Sequence, residues 1–92
     1  MSDILDTSYA PSPQAVESRV ADELVLLHLG SETYFSLDPV GTRMWELLAQ
    51  GLAPRAMCEA IVAEFDVELP RVLADARGLL ADLLAHDLVV AG

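Results

Sequence analysis

Lysine is absent from this sequence, and its five basic residues, Arg19, Arg43, Arg55, Arg71 and Arg77, stand singly among fifteen acidic ones, for a formal charge of -10 at pH 7. A nucleic-acid binder neutralises phosphates with clustered Lys and Arg, so phosphate binding is disfavoured. The same field repels an acidic membrane surface and attracts a basic partner, although a solvated, solubilising surface is the simpler use of the charge. Cysteine occurs once, at Cys58, which excludes an intrachain disulfide and a thiolate metal cage within one chain. A cytosolic compartment fits best. Long apolar runs are missing too, none approaching the roughly 20 residues that span a bilayer. The opening MSDILDTSYAPSPQ carries acidic residues where a signal peptide carries basic ones. The expectation is a chain neither exported nor anchored.

Catalytic motifs are equally scarce. Gly30, Gly41, Gly51, Gly78 and Gly92 form no GxGxxG or Walker pattern. His28 falls in an alternating strand and His86 near a helix end, where a cation suits the macrodipole; the two are far apart and lack a motif partner. Cys58, on an apolar helix face, reads as a buried small hydrophobe rather than a reactive thiol. Asp75 and Asp82 share one helix face, a solvated stripe rather than the desolvated pair that general acid–base work needs. No catalytic, metal or cofactor-binding residue is expected, and an enzyme is the least favoured reading.

What the sequence does have is apolar content, 53% of 92 residues, enough for one cooperative core in one domain. Residues 1–14, with Pro11 and Pro13, read as a flexible or extended lead-in without a core of its own. Residues 15–90 read as the domain. Between Ala15 and Leu37 the runs AVESRV, ELVLLHL and ETYFSL, separated by Ala21-Asp22 and Gly30-Ser31, predict three short strands in an antiparallel meander.

Asp38-Pro39 then switches the period, Asp as N-cap and Pro pre-set for the first helical position. Val40, Met44, Leu47 and Leu48, with Trp45 beside them, form a buried stripe that Gly51 ends. Pro54 opens a second helix with Met57, Cys58, Ile61, Val62 and Phe65 on its apolar face; Ala53 is a weak N-cap, so its first turn should fray. Pro70 opens a third, running to about His86. Its stripe of Val72, Leu73, Ala76, Leu79, Leu80, Leu83 and Leu84, widened by Ala74, Ala81 and Ala85, is broader than one packed face needs. Gly78 in its middle is either a tolerated defect or a point of close backbone approach.

The predicted fold class is therefore α+β, winged-helix-like, with a three-stranded antiparallel sheet followed by three α-helices. The last strand of such a meander can lie on an edge, its unpaired N–H and C=O groups open to another chain. An extended peptide adding there gains main-chain hydrogen bonds, and pockets for alternate side chains give selectivity. If the third helix turns its extra apolar surface to that edge, a groove results. The candidate peptide-binding residues are Thr33, Tyr34, Phe35 and Ser36 on the strand and Val72, Asp75, Ala76, Leu79, Leu80 and Leu83 on the helix. Tyr34 suits such a wall, its ring giving apolar contact while the hydroxyl stays wet.

The segments TYFSLDPVGTRMWELLAQG and CEAIVAEFDVELPRVLADARGLLADLLAHDLV closely resemble the PqqD-like family, the recognition elements for ribosomally made, post-translationally modified peptides. The resemblance covers about residues 15–90. Relatives share a strand ending in an aromatic-x-Leu-Asn/Asp step, a helix with Met-Trp near its middle, a helix with Glu-Ala and a long Leu-rich helix ending in Leu-Val. YFSLDPVGTRMWELL looks most like the stand-alone proteins of lasso-peptide pathways. That resemblance implies binding of a precursor's leader as an added strand between the third strand and third helix, its aromatic, Pro and Leu side chains entering the groove. It also implies delivery to a cysteine leader peptidase and an asparagine-synthetase-like cyclase. The sequence departs from many relatives at Glu32, where they place Gly, and at Ala53, where they place Ser or Thr.

Three readings compete with leader binding. A PqqD-type chaperone of pyrroloquinoline-quinone synthesis is a poorer match in the strand region. A winged-helix DNA-binding or transcription-associated domain has the helix order but the wrong charge. Self-pairing through the open edge or a helix would make a homodimer.

Overall fold

Asp38 marks both the change of period in the sequence and the boundary between sheet and helices in three dimensions. The computed structural model describes residues 3–92. After a 3-10 turn at Ile4–Asp6 come β1 (Tyr9–Pro11), β2 (Ala15–Val20), β3 (Glu23–His28), β4 (Tyr34–Leu37), α1 (Pro39–Ala49), α2 (Pro54–Glu64), α3 (Leu69–Ala85) and β5 (Val89–Ala91). The three-stranded antiparallel sheet followed by three helices is the expected α+β arrangement.

The sheet has the order β2-β3-β4, with Ser18 opposite Val25 and Leu26 opposite Phe35. Ala21 takes a φ of 58°, turning β2 into β3 through the two residues Ala21 and Asp22. Period-2 alternation sends Leu24, Leu26 and His28 inward, while Val25 and Leu27 are half-buried on the other face. β4 begins at Tyr34 rather than Glu32, because Leu29 to Thr33 make the hairpin loop and Glu32 stands in the left-handed region at φ 59°.

Asp38 Oδ1 accepts the Gly41 N–H at 2.7 Å and Pro39 fills the first position of α1. Gly51, at φ 98°, ends that helix. Ala53 gives α2 no side-chain cap, yet the first helical bond, Met57 N–H to Ala53 C=O, is formed at 2.9 Å. Met44, Trp45, Leu48, Met57, Ile61, Val72, Ala76, Leu80 and Leu83 meet Leu24, Leu26 and Leu37 in one core. Each fully buried leucine there contributes about 1.5–3 kcal/mol. At the core's margin Trp45 Nε1–H donates to Glu17 Oε1 at 2.9 Å, tying α1 to β2.

The N-terminal segment differs from its expectation. Leu5 and Tyr9 are buried in the common core, and β1 pairs antiparallel with β5, Tyr9 opposite Ala91. Arg77 holds Asp3 at 2.7 Å and Arg55 holds Asp6 at 2.7 Å. Residues 3–14 have no core of their own but complete that of the domain, closing it from below with a strand added next to the C-terminal one. No helix among the described residues is long and apolar enough to cross a membrane.

Candidate functional site

β4 pairs with β3 on one side only, so its other edge is open among the described residues. His28 N–H donates to Thr33 C=O at 2.8 Å. Antiparallel pairs alternate, so Phe35 and Leu37 also turn their backbone groups toward β3. Tyr34 and Ser36 therefore present N–H and C=O to the open edge. Facing that edge across a groove of about 870 Å³ is α3, with Arg71, Val72, Ala74, Asp75, Gly78, Leu79 and Asp82 along its wall. Phe35, Ser36 and Leu37 line the strand side, and Val40, Gly41 and Met44 close the end where α1 begins.

The lining is apolar at its base and acidic at its rim. Asp38, Asp75 and Asp82 supply three carboxylates against the single guanidinium of Arg71. Arg71 is itself 3.9 Å from Asp75, in an exposed pair of little energetic consequence. The two glycines of the lining have different reasons to be there. A Cβ on Gly41 would lie 3.1 Å from Asp38 Oδ1, a tight contact that would crowd the N-cap of α1. A Cβ on Gly78 would meet nothing within 4 Å. Gly78 thus costs α3 about 1 kcal/mol relative to Ala, with no packing inside the chain to offset it.

The ten residues expected to meet a peptide divide into three sets. Phe35, Ser36, Val72, Asp75 and Leu79 line the groove. Tyr34, 74% exposed, lies on the outer face of the sheet because strand alternation turns it away from Phe35, and Thr33 sits beyond the end of β4. Ala76, Leu80 and Leu83 are fully buried in the core and do not line the groove. The broad stripe of α3 is explained by this division: Val72, Ala76, Leu80 and Leu83 pack inward, Leu73 and Leu79 are half-buried, and Leu84 is exposed. Sequence reasoning missed Arg71 and Asp82 as lining residues, though the i, i+4 and i, i+7 relation of Arg71, Asp75 and Asp82 was a usable signal.

A smaller hollow of about 350 Å³ lies beside the far end of β4, lined by His28, Ser31, Thr33, Ala85, His86 and Asp87. His28, without a partner in sequence, has one here: Nε2 is 3.0 Å from Asp87 Oδ2. Ser31 Oγ is 3.1 Å from His28 Nδ1, so hydroxyl, imidazole and carboxylate stand in the order of a hydrolase triad. The same Nδ1 accepts the Ser31 backbone N–H at 3.1 Å, and Ser31 Oγ lies 2.7 Å from Thr33 Oγ1. The imidazole's accepting nitrogen is thus engaged by the main chain, and the group braces the hairpin. His86 Nδ1 meets the Asp82 carbonyl at 2.8 Å, and its ring tilts against Phe35. Cys58 is fully buried, and burial pushes its thiol up from the ordinary value.

The family model described as Coenzyme PQQ synthesis protein D (PqqD) matches residues 23–89. The chain belongs to the PqqD family. The matched span runs from β3 to the start of β5 and includes both walls of the groove. Two solved structures share this PqqD-family fold. TbiB1 in complex with the TbiA(beta) leader peptide is 42% identical, covering 87% of this chain and 93% of that one, with a TM-score of 0.80. Lasso peptide synthetase B1 complexed with the leader peptide has a TM-score of 0.82 over 90% of this chain and 98% of that one; at 19% identity it speaks for the fold alone. A comparison with curated proteins returned no match.

Proposed function

We propose that this chain is a non-catalytic recognition element that binds the leader of a ribosomal precursor peptide in the groove between β4 and α3. The guest adds as a strand, exchanging main-chain hydrogen bonds with Tyr34 and Ser36. Phe35, Ser36, Val72, Asp75 and Leu79 contact its side chains, Tyr34 flanks it from the outer face, Thr33 meets it beyond the end of β4, and Ala76, Leu80 and Leu83 hold α3 in place beneath it. The chain then delivers the leader to the cysteine leader peptidase and asparagine-synthetase-like cyclase of a lasso-peptide pathway.

The observation that carries this reading is the groove itself, bounded by an open strand edge on one side and a half-apolar helix on the other. The 42% identical TbiB1, whose structure is a complex with a leader peptide, supports the class of guest. Strand addition gives affinity from backbone bonds that any sequence can make and selectivity from alternate side chains. Ordering a flexible leader costs about 2–5 kcal/mol, which favours a preformed groove over one that must also fold. The DNA-binding reading loses further ground because Arg19, Arg43, Arg55, Arg71 and Arg77 each lie within ion-pair distance of a carboxylate of the same chain.

Titration of the isotopically labelled chain with the TbiA(beta) leader peptide, the guest of its 42% identical relative, tests the proposal. Chemical-shift changes should concentrate on Tyr34 to Leu37 and on the groove face of α3. Ser36→Pro removes an open-edge N–H while leaving the β3 side of the strand intact. If the folded Ser36→Pro variant binds as tightly as the parent, strand addition is wrong.

A further inference from the structure

The geometry points to a guest that carries a Lys or Arg side chain at one groove-facing position, its alkyl stem lying across the bare backbone of Gly78 and its charged head between Asp75 and Asp82. This rests on the peptide-binding reading and adds the chemistry of one guest position.

Gly78 stands inside α3, away from either end, and it is not among the positive-φ residues. Neither backbone conformation nor packing within the chain favours glycine there, whereas a Cβ at Gly41 would crowd Asp38 Oδ1. A glycine inside a helix weakens it, so the use of this one lies outside the chain. What the missing side chain leaves is room on the groove wall beside Leu79 and opposite Phe35.

Asp75 and Asp82 stand three residues before and four residues after Gly78, the spacing that puts all three on one stripe of the helix. Both carboxylates line the groove. Asp82 has no guanidinium partner among the described residues, and His86 binds its main-chain carbonyl rather than its carboxylate. A purely apolar side chain over Gly78 would fill the room but draw water away from two carboxylates, which is unfavourable for a charge left unpaired. A long basic side chain meets both demands, its methylenes covering apolar surface and its head remaining at the polar rim. An acidic side chain would be repelled there by the local charge and by the chain's overall charge of -10. Because groove-facing side chains recur at every second position of an added strand, the basic residue has its apolar companions two positions away.

A display library of random-sequence peptides, selected against the parent chain, provides the test. Enriched peptides should carry Lys or Arg at a fixed position two residues from an apolar one. Against the Asp75→Asn, Asp82→Asn double variant that basic preference should disappear, and the best parental peptide should bind about tenfold more weakly at low salt, with the gap closing as salt rises. Gly78→Ala should melt at a higher temperature than the parent yet bind the same peptide more weakly, a combination that a structural role for Gly78 would not produce. Enriched peptides without a positional basic residue overturn the inference while leaving peptide binding intact, as does a Gly78→Ala variant that binds undiminished. Failure of the parent chain to enrich any peptide overturns the peptide-binding reading itself, and this inference with it.

Discussion

His28 Nε2 lies 3.0 Å from Asp87 Oδ2, joining the last inward residue of β3 to the turn that follows α3. The β3–β4 hairpin, whose second strand is the strand wall of the groove, is thereby tied to the end of the helix wall. Asp87 is largely exposed, so the bond's net worth sits at the low end of the usual range, about 0.5 kcal/mol. Asp87→Ala should lower stability by about that amount and a little more in urea unfolding, because Asp87 also stands in the left-handed region at φ 53°, which Asp tolerates better than Ala. Leader affinity should fall further than stability does, because the groove walls lose their common anchor. Equal affinity for parent and variant by calorimetry would show that the groove's width does not depend on this tie.

Glu32 and Ala53 suit their local geometry poorly. Glu32 sits at φ 59°, where a side chain other than Gly costs about 1–2 kcal/mol. Part of that is returned through the unfolded state when Gly is introduced, so Glu32→Gly should stabilise the chain by about 0.5–1 kcal/mol. Ala53 offers no oxygen to the first turn of α2. Ala53→Ser should add about 0.5–2 kcal/mol, and because the two sites share no partner their effects should sum in the double variant.

Arg77, donating to the Asp3 carboxylate, holds that carboxyl well below its ordinary 3.8, at about 2, with the Leu5 N–H assisting. A carboxyl whose pKa is depressed on folding stabilises the fold above its unfolded value and ceases to do so as pH falls through the folded one. Asp3→Asn should thus be less stable than the parent at neutral pH, with the difference vanishing between pH 3.8 and about 2. Both groups are solvent-exposed, so the difference should also shrink in high salt. Paired acid-unfolding curves at two ionic strengths would check both statements.

Adjacent leucines on α3 should behave differently. Leu80 is wholly buried, and Leu80→Glu places a carboxylate in the core without a partner, which should unfold the domain or cost it several kcal/mol. Leu79 is half-buried on the groove wall. Leu79→Glu should remain folded by circular dichroism and lose most of its affinity for a leader, through lost apolar contact.

Much of this was legible along the chain. The period-2 runs from Ala15 to Leu37, the Asp38-Pro39 switch and the prolines at 54 and 70 predict β2 to β4 and the starts of the three helices to within a residue or two, because those signals act through local backbone preference; β1 and β5, three residues each, carry no such signal. The open edge of β4 follows from the meander order alone. The stripe of α3 was harder, since a helix reveals which residues are apolar but not which of two apolar directions faces a neighbour. Leu79 and Leu80 read alike in sequence, and only the packing of α3 against α2 and the shared core separates them.

The sequence by itself thus determined the three strands of the meander, the three helices, their order and the edge strand, all of which depend on short-range periodicity. Tertiary structure alone decided what lies far apart in the chain. It brought Asp3 to Arg77, 74 residues away, Tyr9 to Ala91, and His28 to Asp87. It also turned the Asp75, Gly78 and Asp82 stripe of α3 toward the open edge of β4. Such pairings depend on where whole elements dock, which is settled by burying a shared core, and no local pattern of residues encodes them.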